Sequence, residues 1–530
     1  MRTPKFAKQK RGEQISSQYS VPAPVGGWNR RDSIADMAED DANIMTNWFP
    51  ETTDVRIRKG IIDHVTGIGQ QVESLMTYNA SDGTQTLFGA ANDSFYNVTS
   101  AGAVGGAVVG SLTNARWQHL NFTNSSGTSY LCTFNGTDSP NYWNGSAWIT
   151  VTGVSTPAIT GLTTSTIISG AIHNRRLWLV AVNSLKAWYL PPDSVGGLAK
   201  SFDLSGIASK GGYLMAMETW TLDAGDGIDD MLVVYTSEGQ VIVMQGTDPV
   251  STSTWKVIGT WNIGEPIGRR CMIKYRGDVL LLCQDGVFPL SKILIGAQTE
   301  PEEAVTWKIN QAMAEVSNDH RSKYGWEIVH YPRGHQLFLN IPIKEGSEQE
   351  QYVMNTITGA WGRFTGIEAN CWGLINRQLY FGTNGEVVKF GRELGDDGDI
   401  FADNSTNIDG DLQTAFSYFK DRGRLKQFKS MRANFLLSGE ISSLFGINVD
   451  FDDAALGGSI SFSPAAGNLW DAATALWDTA LWSSGVSPSG DWLTVTAVGT
   501  AAAARLQTAS QSDVRLQSFD HLYESGGVIA

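Results

Sequence analysis

Two acidic clusters are the first places in this 530-residue chain where residue type and spacing suit chemistry. Asp223, Asp226, Asp229 and Asp230 fall in the run DAGDGIDD, and Asp396, Asp397, Asp399, Asp403, Asp409 and Asp411 in a loop rich in Asp, Asn and Gly. Carboxylates grouped this way supply oxygen ligands for Ca²⁺, but neither run keeps the D-x-[DN]-x-[DN]-G spacing of a calcium loop. Solvated acidic loops are the favoured reading and a calcium site the alternative. The seven His residues are scattered, without the H-E-x-x-H or i, i+4 pairs that a zinc site uses. His330 and His335 flank a Pro-Arg-Gly turn and read as an exposed turn rather than a metal site. Neither a G-x-S-x-G elbow nor a G-x-x-x-x-G-K-[ST] phosphate loop occurs.

Glycoside hydrolysis needs two carboxylates, which a β-rich enzyme gathers from distant segments. The S-x-D-x-G-x-T-W box common in sialidase propellers is absent, and its nearest piece, Ser81-Asp82-Gly83, continues as Thr-Gln-Thr-Leu. The chain therefore reads as a non-enzyme with no cofactor. Cys132, Cys271, Cys283 and Cys371 lack C-x-x-C spacing and sit in strand-like surroundings such as YLCTF and VLLLC, so they read as buried free thiols. A formal net charge of −15 argues against gripping duplex DNA by phosphate neutralisation. Arg2, Lys5, Lys8, Lys10 and Arg11 cluster at the start and read as a partner-docking or disordered arm, with nucleic-acid contact as the alternative. No apolar stretch is long enough to span a bilayer as a helix.

The elements that would position any site are strands. Hydrophobic residues make up 42% and charged residues 18%, enough apolar surface for a core. The 57 Gly, with many Asn, Ser and Thr between short aromatic runs, point to tight turns joining short strands. A strand–turn–strand unit recurs from Leu87, Tyr130, Leu177, Leu232, Val279, Leu337 and Leu379, at spacings of 43, 47, 55, 47, 58 and 42 residues. Glu238-Gly239, Asp285-Gly286 and Asn384-Gly385 occupy its two-residue turns, where positive φ is needed. One hairpin cannot bury its apolar face alone, and stacking such units around an axis would do so. The expectation is an all-β chain with a β-propeller-like central domain at 61–395, a β-sandwich series being the alternative.

The ends differ from this middle. Residues 32–48 carry Ile34, Met37, Ile44, Met45 and Trp48 at roughly helical spacing, with Asp32 or Asp40 as a cap and Phe49-Pro50 as a stop. Residues 1–60 are thus expected to form an N-terminal arm, a short helix and an exposed strand containing Arg56 and Arg58. Residues 396–530 are expected to form a C-terminal β-rich domain. Trp470, Trp477 and Trp482, in LWDAATALWDTALW, suit either an internal core or a subunit contact.

Three segments together resemble the tail nozzle (hub) proteins of short-tailed bacteriophages. They are the N-terminal block APVGGWNRRDSIADM, DDANIMTNWFPE and VRIRKG; the repeated-hairpin middle; and the C-terminal FKSMRANF, LWDAATALWDTALW and LYESGGVIA. The resemblance implies a non-catalytic virion subunit, assembled in the host cytoplasm into a homohexameric tube. Its implied partners are the portal–adaptor ring, tail fibres or spikes, and a needle or plug, with transient contact to passing DNA. In such a ring Arg56, Arg58 and the three Trp residues are candidate subunit or partner contacts. Asp223, Asp226, Asp229, Asp230, Asp396, Asp397 and Asp399 are candidates for an acidic lumen that keeps DNA sliding. The alternative function is a propeller that binds or cleaves host-surface glycan.

Overall fold

A computed structural model describes residues 16–223, 228–251, 253–295, 300–391, 399–453, 456, 459–464 and 486–528. Strand accounts for 54% and helix for 6%, so the protein is all-β. The chain divides into two units, residues 59–404 and a second made from both ends, 1–58 with 405–530. The sequence reading treats residues 1–60 and 396–530 as two parts, and by their contacts 1–58 group with 405–530.

Among the described residues the larger unit contains seven antiparallel strand groups, called sheets below and taken in chain order, and two short parallel pairs, Ile159–Thr160 with Gly197–Leu198 and Gly102–Ala103 with Val65–Thr66. The first sheet spans Val72–Asn79, Gln85–Ala91 and Ser94–Asn97. The second opens with Gln118–Thr123, the third with Ile167–His173, the fourth with Leu214–Asp223 and the fifth with Met272–Tyr275. The sixth opens with Glu327–Tyr331 and the seventh with Cys371–Ile375. Each repeated hairpin of the sequence supplies the second and third strands of one sheet, as in Arg176–Ala181 with Lys186–Tyr189. Gly239, Gly286 and Gly385 take φ of 76°, 132° and 120° at the expected turns.

Large apolar side chains fill the gaps between consecutive sheets. Phe88, Phe95, Trp117 and Leu131 join the first to the second, while Phe134, Tyr142 and Leu179 join the second to the third. Trp178 stacks on Trp255 at 5.3 Å between the third and fourth. Full burial of each such side chain contributes about 1.5–3 kcal/mol. The opening strands pack beside one another in chain order, and Cys371–Ile375 of the seventh sheet packs beside Val72–Asn79 of the first. Ile61–Thr66, the first strand of this unit, pairs antiparallel with Val387–Phe390 of the seventh sheet.

The second unit is built from two sheets. In one, Arg424–Leu437 and Val514–Val528 pair along most of their length, and Val55–Ile57 and Ser16–Pro22 add to Val514–Val528. In the other, Asp41–Thr46, Ile408–Thr414, Ala502–Ser510 and Ile441–Val449 lie side by side. Phe445 stacks on Phe519 at 5.8 Å and Phe435 meets Phe462 at 5.0 Å, so aromatic rings from the two sheets make the core.

The expected N-terminal helix is not formed. Residues 33–36 turn, Asp41–Thr46 is a strand, and Asn47 takes the left-handed φ of 60° that ends it. Tertiary pairing wins over the helical spacing because Ile44, Met45 and Thr46 pair with Gln413, Leu412 and Asp411. The strand Val55–Ile57 is not exposed either, since Val55 and Ile57 are buried. Among the described residues no helix is long and apolar enough to cross a membrane.

Candidate functional site

The chemistry-bearing residues with the most built surroundings lie where opening strands begin. Arg116-Trp117 leads into the second sheet, Arg269-Arg270 into the fifth, and Tyr324-Gly325-Trp326 into the sixth. The neighbour order of the sheets therefore brings segments about 200 residues apart in the chain to one place.

Arg270 is the hub, its side chain 14% exposed. Its Nη1 donates to Glu327 Oε2 at 3.0 Å, and Nη2 lies 3.0–3.2 Å from Ser74 Oγ, Tyr324 Oη, Glu73 O and Trp117 O. Two hydrogens face four oxygens there, so the bonds are shared. Tyr324 Oη in turn donates to Glu73 O at 2.8 Å, and Trp372 N donates to Glu327 Oε2 at 3.2 Å. One guanidinium at the entry to the fifth sheet thus reaches residues of the first and sixth sheets and the entry to the second, and through Glu327 the seventh. Burial works against its charge, but Glu327 and Tyr324 outweigh it and raise its pKa. Burial pushes the Tyr324 hydroxyl up to about 12, against the pull of Arg270.

In front of this hub lies a cavity of about 330 Å³ lined by Arg116, Gln118, Arg269, Arg270, Arg321 and Lys323, together with Asn114, Asn135 and Tyr324. Its lining carries five cationic side chains and no carboxylate. Arg116 is held by Glu73 (2.9 Å) and Glu345, and its guanidinium sits 4.3 Å from the Tyr324 ring centre. Arg321 is 3.6 Å from Glu265, both of them exposed, a weak pair. Lys323 Nζ donates to Ile343 O. Arg269 differs from all of these. Its Nη1 donates to Leu214 O and Met215 O at 3.3 and 3.2 Å and its guanidinium faces the Tyr213 ring, and among the described residues it has no carboxylate in ion-pair range. Burial accordingly lowers its pKa.

A second, more open depression of about 740 Å³ is lined by Asn262, Gln284, Asp285, Trp307 and Asn310 among others, with Asp285 its one carboxylate. Neither cavity presents the carboxylate pair that glycan cleavage requires.

The residues singled out from sequence lie elsewhere. Arg58 is 2% exposed, and its Nε donates to Asn47 Oδ1 at 3.0 Å. Arg56 forms a two-point ion pair with Asp513 at 2.7 and 2.9 Å. Both guanidinium groups are engaged within the chain. Trp470, Trp477, Trp482, Asp226, Asp396 and Asp397 lie outside the described residues, as do the five basic residues of the N-terminal arm. Asp223 and Asp229 belong to the paired strands Leu214–Asp223 and Ile228–Thr236, and Asp230 accepts a 2.6 Å bond from Thr221 Oγ1. Asp399 pairs with Lys59. Among the described residues no cluster of three or more His, Cys, Asp or Glu is arranged to hold a metal. All four cysteines are buried and unpaired, and burial pushes the Cys271 and Cys283 thiols up to about 12.

Sequence reading missed the cationic cavity because no motif spans residues 114–326. The one local signal was the pair of short basic steps, Arg269-Arg270 and Arg321-Ser322-Lys323, each just ahead of a strand.

No family model matches the chain, and no curated protein matches it. Several solved structures are similar in part. The extracellular domain of a B. thetaiotaomicron protein described as a hybrid two-component system shares 12% identity at TM-score 0.39, over 61% of this chain and 40% of that one. BBS1N, solved in complex with ARL6DN, shares 12% at TM-score 0.39, over 63% of this chain and 97% of that one. PorZ, a surface component of the type-IX secretion system of Porphyromonas gingivalis, shares 13% at TM-score 0.36, over 67% and 42%. The chain spans about two-fifths of the length of the first of these.

Proposed function

We propose that this protein is a structural, non-catalytic subunit of a phage tail nozzle, acting in the virion as one of six copies in a ring through which the genome passes. The observation that carries the reading is where the resembling segments lie. The described parts of the N-terminal block up to Arg58 and of the C-terminal FKSMRANF and LYESGGVIA segments belong to one unit, where Val55 and Arg56 pair with Leu516 and Arg515 of the last long strand and Arg56 forms an ion pair with Asp513; LWDAATALWDTALW lies outside the described residues. In this reading the larger unit is a seven-bladed propeller. The cyclic neighbour order of its sheets supports that, as does the first strand, Ile61–Thr66, closing the last sheet. The portal–adaptor ring, fibres or spikes, and a needle or plug are the partners the reading requires, together with passing DNA.

Electron cryo-microscopy of the virion tests this directly. Six copies around the tail axis support it; a single copy, or copies off the axis, overturn it. The same map tests the lumen: the reading expects Asp223–Asp230 and Asp396–Asp399 on the channel wall, and a Lys/Arg wall with these loops outside refutes that part.

A further inference from the structure

The cationic cavity has an unbalanced charge on its lining. Arg116 and Arg270 each have carboxylate partners, whereas the half-buried Arg269 has, among the described residues, only carbonyl oxygens and a tyrosine ring. A buried charge without its counter-charge costs several kcal/mol, so a site that keeps one is suited to a ligand that completes it. Among the described residues the guanidinium makes no bond through Nε and Nη2, a fork that fits a carboxylate or phosphate at two points. Gln118, on the same lining, has no side-chain hydrogen-bond partner among the described residues and adds a neutral donor, while Arg321 and Lys323 on the lining add positive potential. This concentration of cations stands in a chain whose formal net charge is −15.

We propose that this cavity binds the oxyanion group of a small polar ligand, with Arg269 as its principal partner and Gln118 as a second donor. A volume of about 330 Å³ lies at the low end of small-molecule pockets, enough for a single sugar acid or nucleotide rather than a chain. The inference does not depend on the tail reading.

Isothermal titration calorimetry of the full chain with inorganic phosphate, adenosine monophosphate, glucuronate and uncharged glucose tests it. Binding of at least one anionic probe and not of glucose is expected, and comparing glucuronate with the phosphates separates a carboxylate ligand from a phosphate one. Arg269→Gln is expected to weaken binding at least about tenfold. Gln118→Glu is the second variant: it places a carboxylate in the cavity, so it should abolish anion binding and raise Tm. Absence of binding by every anionic probe at about 10 mM, or unchanged affinity in either variant, overturns the proposal. So does binding of a single-stranded oligonucleotide alone, which would make the cavity a nucleic-acid phosphate contact instead.

Discussion

Replacing Arg270 by Met should destabilise the larger unit far more than the loss of one surface charge would. The substitution keeps an apolar stem of similar length but removes the donor to Glu327 and to four further oxygens. Glu327, 14% exposed, is left with Trp372 N as its remaining donor. Breaking a buried pair in this way costs about 3–5 kcal/mol, because the stranded charge keeps its desolvation penalty. Equilibrium urea unfolding followed by tryptophan fluorescence measures the loss, with Trp117, Trp326 and Trp372 close to the hub. Arg270→Met with Glu327→Met removes both charges and should recover most of the stability, to within about 1–2 kcal/mol of the parent. A pH series adds a sign. Burial already raises the Glu327 carboxyl, and losing Arg270 removes the main force holding it down. The folded state of the single variant therefore takes up a proton more readily than the unfolded chain, and its deficit should shrink as pH falls toward the ordinary carboxyl range near 4.5. A single-variant loss below about 1 kcal/mol, or a double variant no better than the single, refutes the reasoning.

Two further outcomes follow from buried groups. His173 and His521 are each 1% exposed, and burial lowers their pKa from 6.5 to about 4. Above pH 6.5 neither state is protonated and they cost nothing; between 6.5 and 4 only the unfolded state gains the proton, so stability falls with pH, by up to about 3 kcal/mol for each His. His521→Phe, among Phe419 and Phe428, should flatten that slope, and an unchanged slope in a pH 8 to pH 4 denaturation series would count against it. Gly26→Ala should cost about 1–3 kcal/mol by thermal denaturation, because its Cβ would lie 2.3 Å from Asp41 Oδ1 and 2.8 Å from Asp40 O. A Tm equal to the parent's would show that the backbone there yields freely.

How much of this was legible in the sequence depends on which strand is considered. The second strands of the sheets, and several of the third, are buried on both faces or nearly so, as in Asp278–Cys283 and Gln240–Gly246, and they read as apolar runs punctuated by Gly turns. Several opening strands are half polar and half exposed, such as Gln118–Thr123 and Met272–Tyr275, and give no clear alternation, although they set the neighbour order. The helix Asn310–His320 buries only Ala312, Met313 and Ser317, too little for a periodic signal. At 32–48 the spacing matched a helix by coincidence, while the pairing that decides the strand comes from residues near 411, over 360 positions away. The cavity was illegible for the same reason, since its cations meet only through non-local packing.

That distribution also bears on how assembly experiments should be read. The residues carrying the N-terminal resemblance are engaged in holding their own unit together. Gly26 lies against Asp41, and Asn29 Nδ2 donates to Asp41 Oδ2 at 2.7 Å. Asn47 donates to Asp409 O at 2.8 Å while accepting from Arg58, Trp48 is fully buried, and Arg56 grips Asp513. Removing Arg58 would take a donor from the buried Asn47 Oδ1, and removing Arg56 would leave Asp513, 5% exposed, with Arg515 as its remaining cation among the described residues. A ring lost in an Arg56 or Arg58 variant therefore reports a weakened fold before it reports a subunit contact. The two are separated by measuring the unfolding midpoint of the unassembled chain: a contact residue would leave it unchanged, whereas these two arginines should lower it.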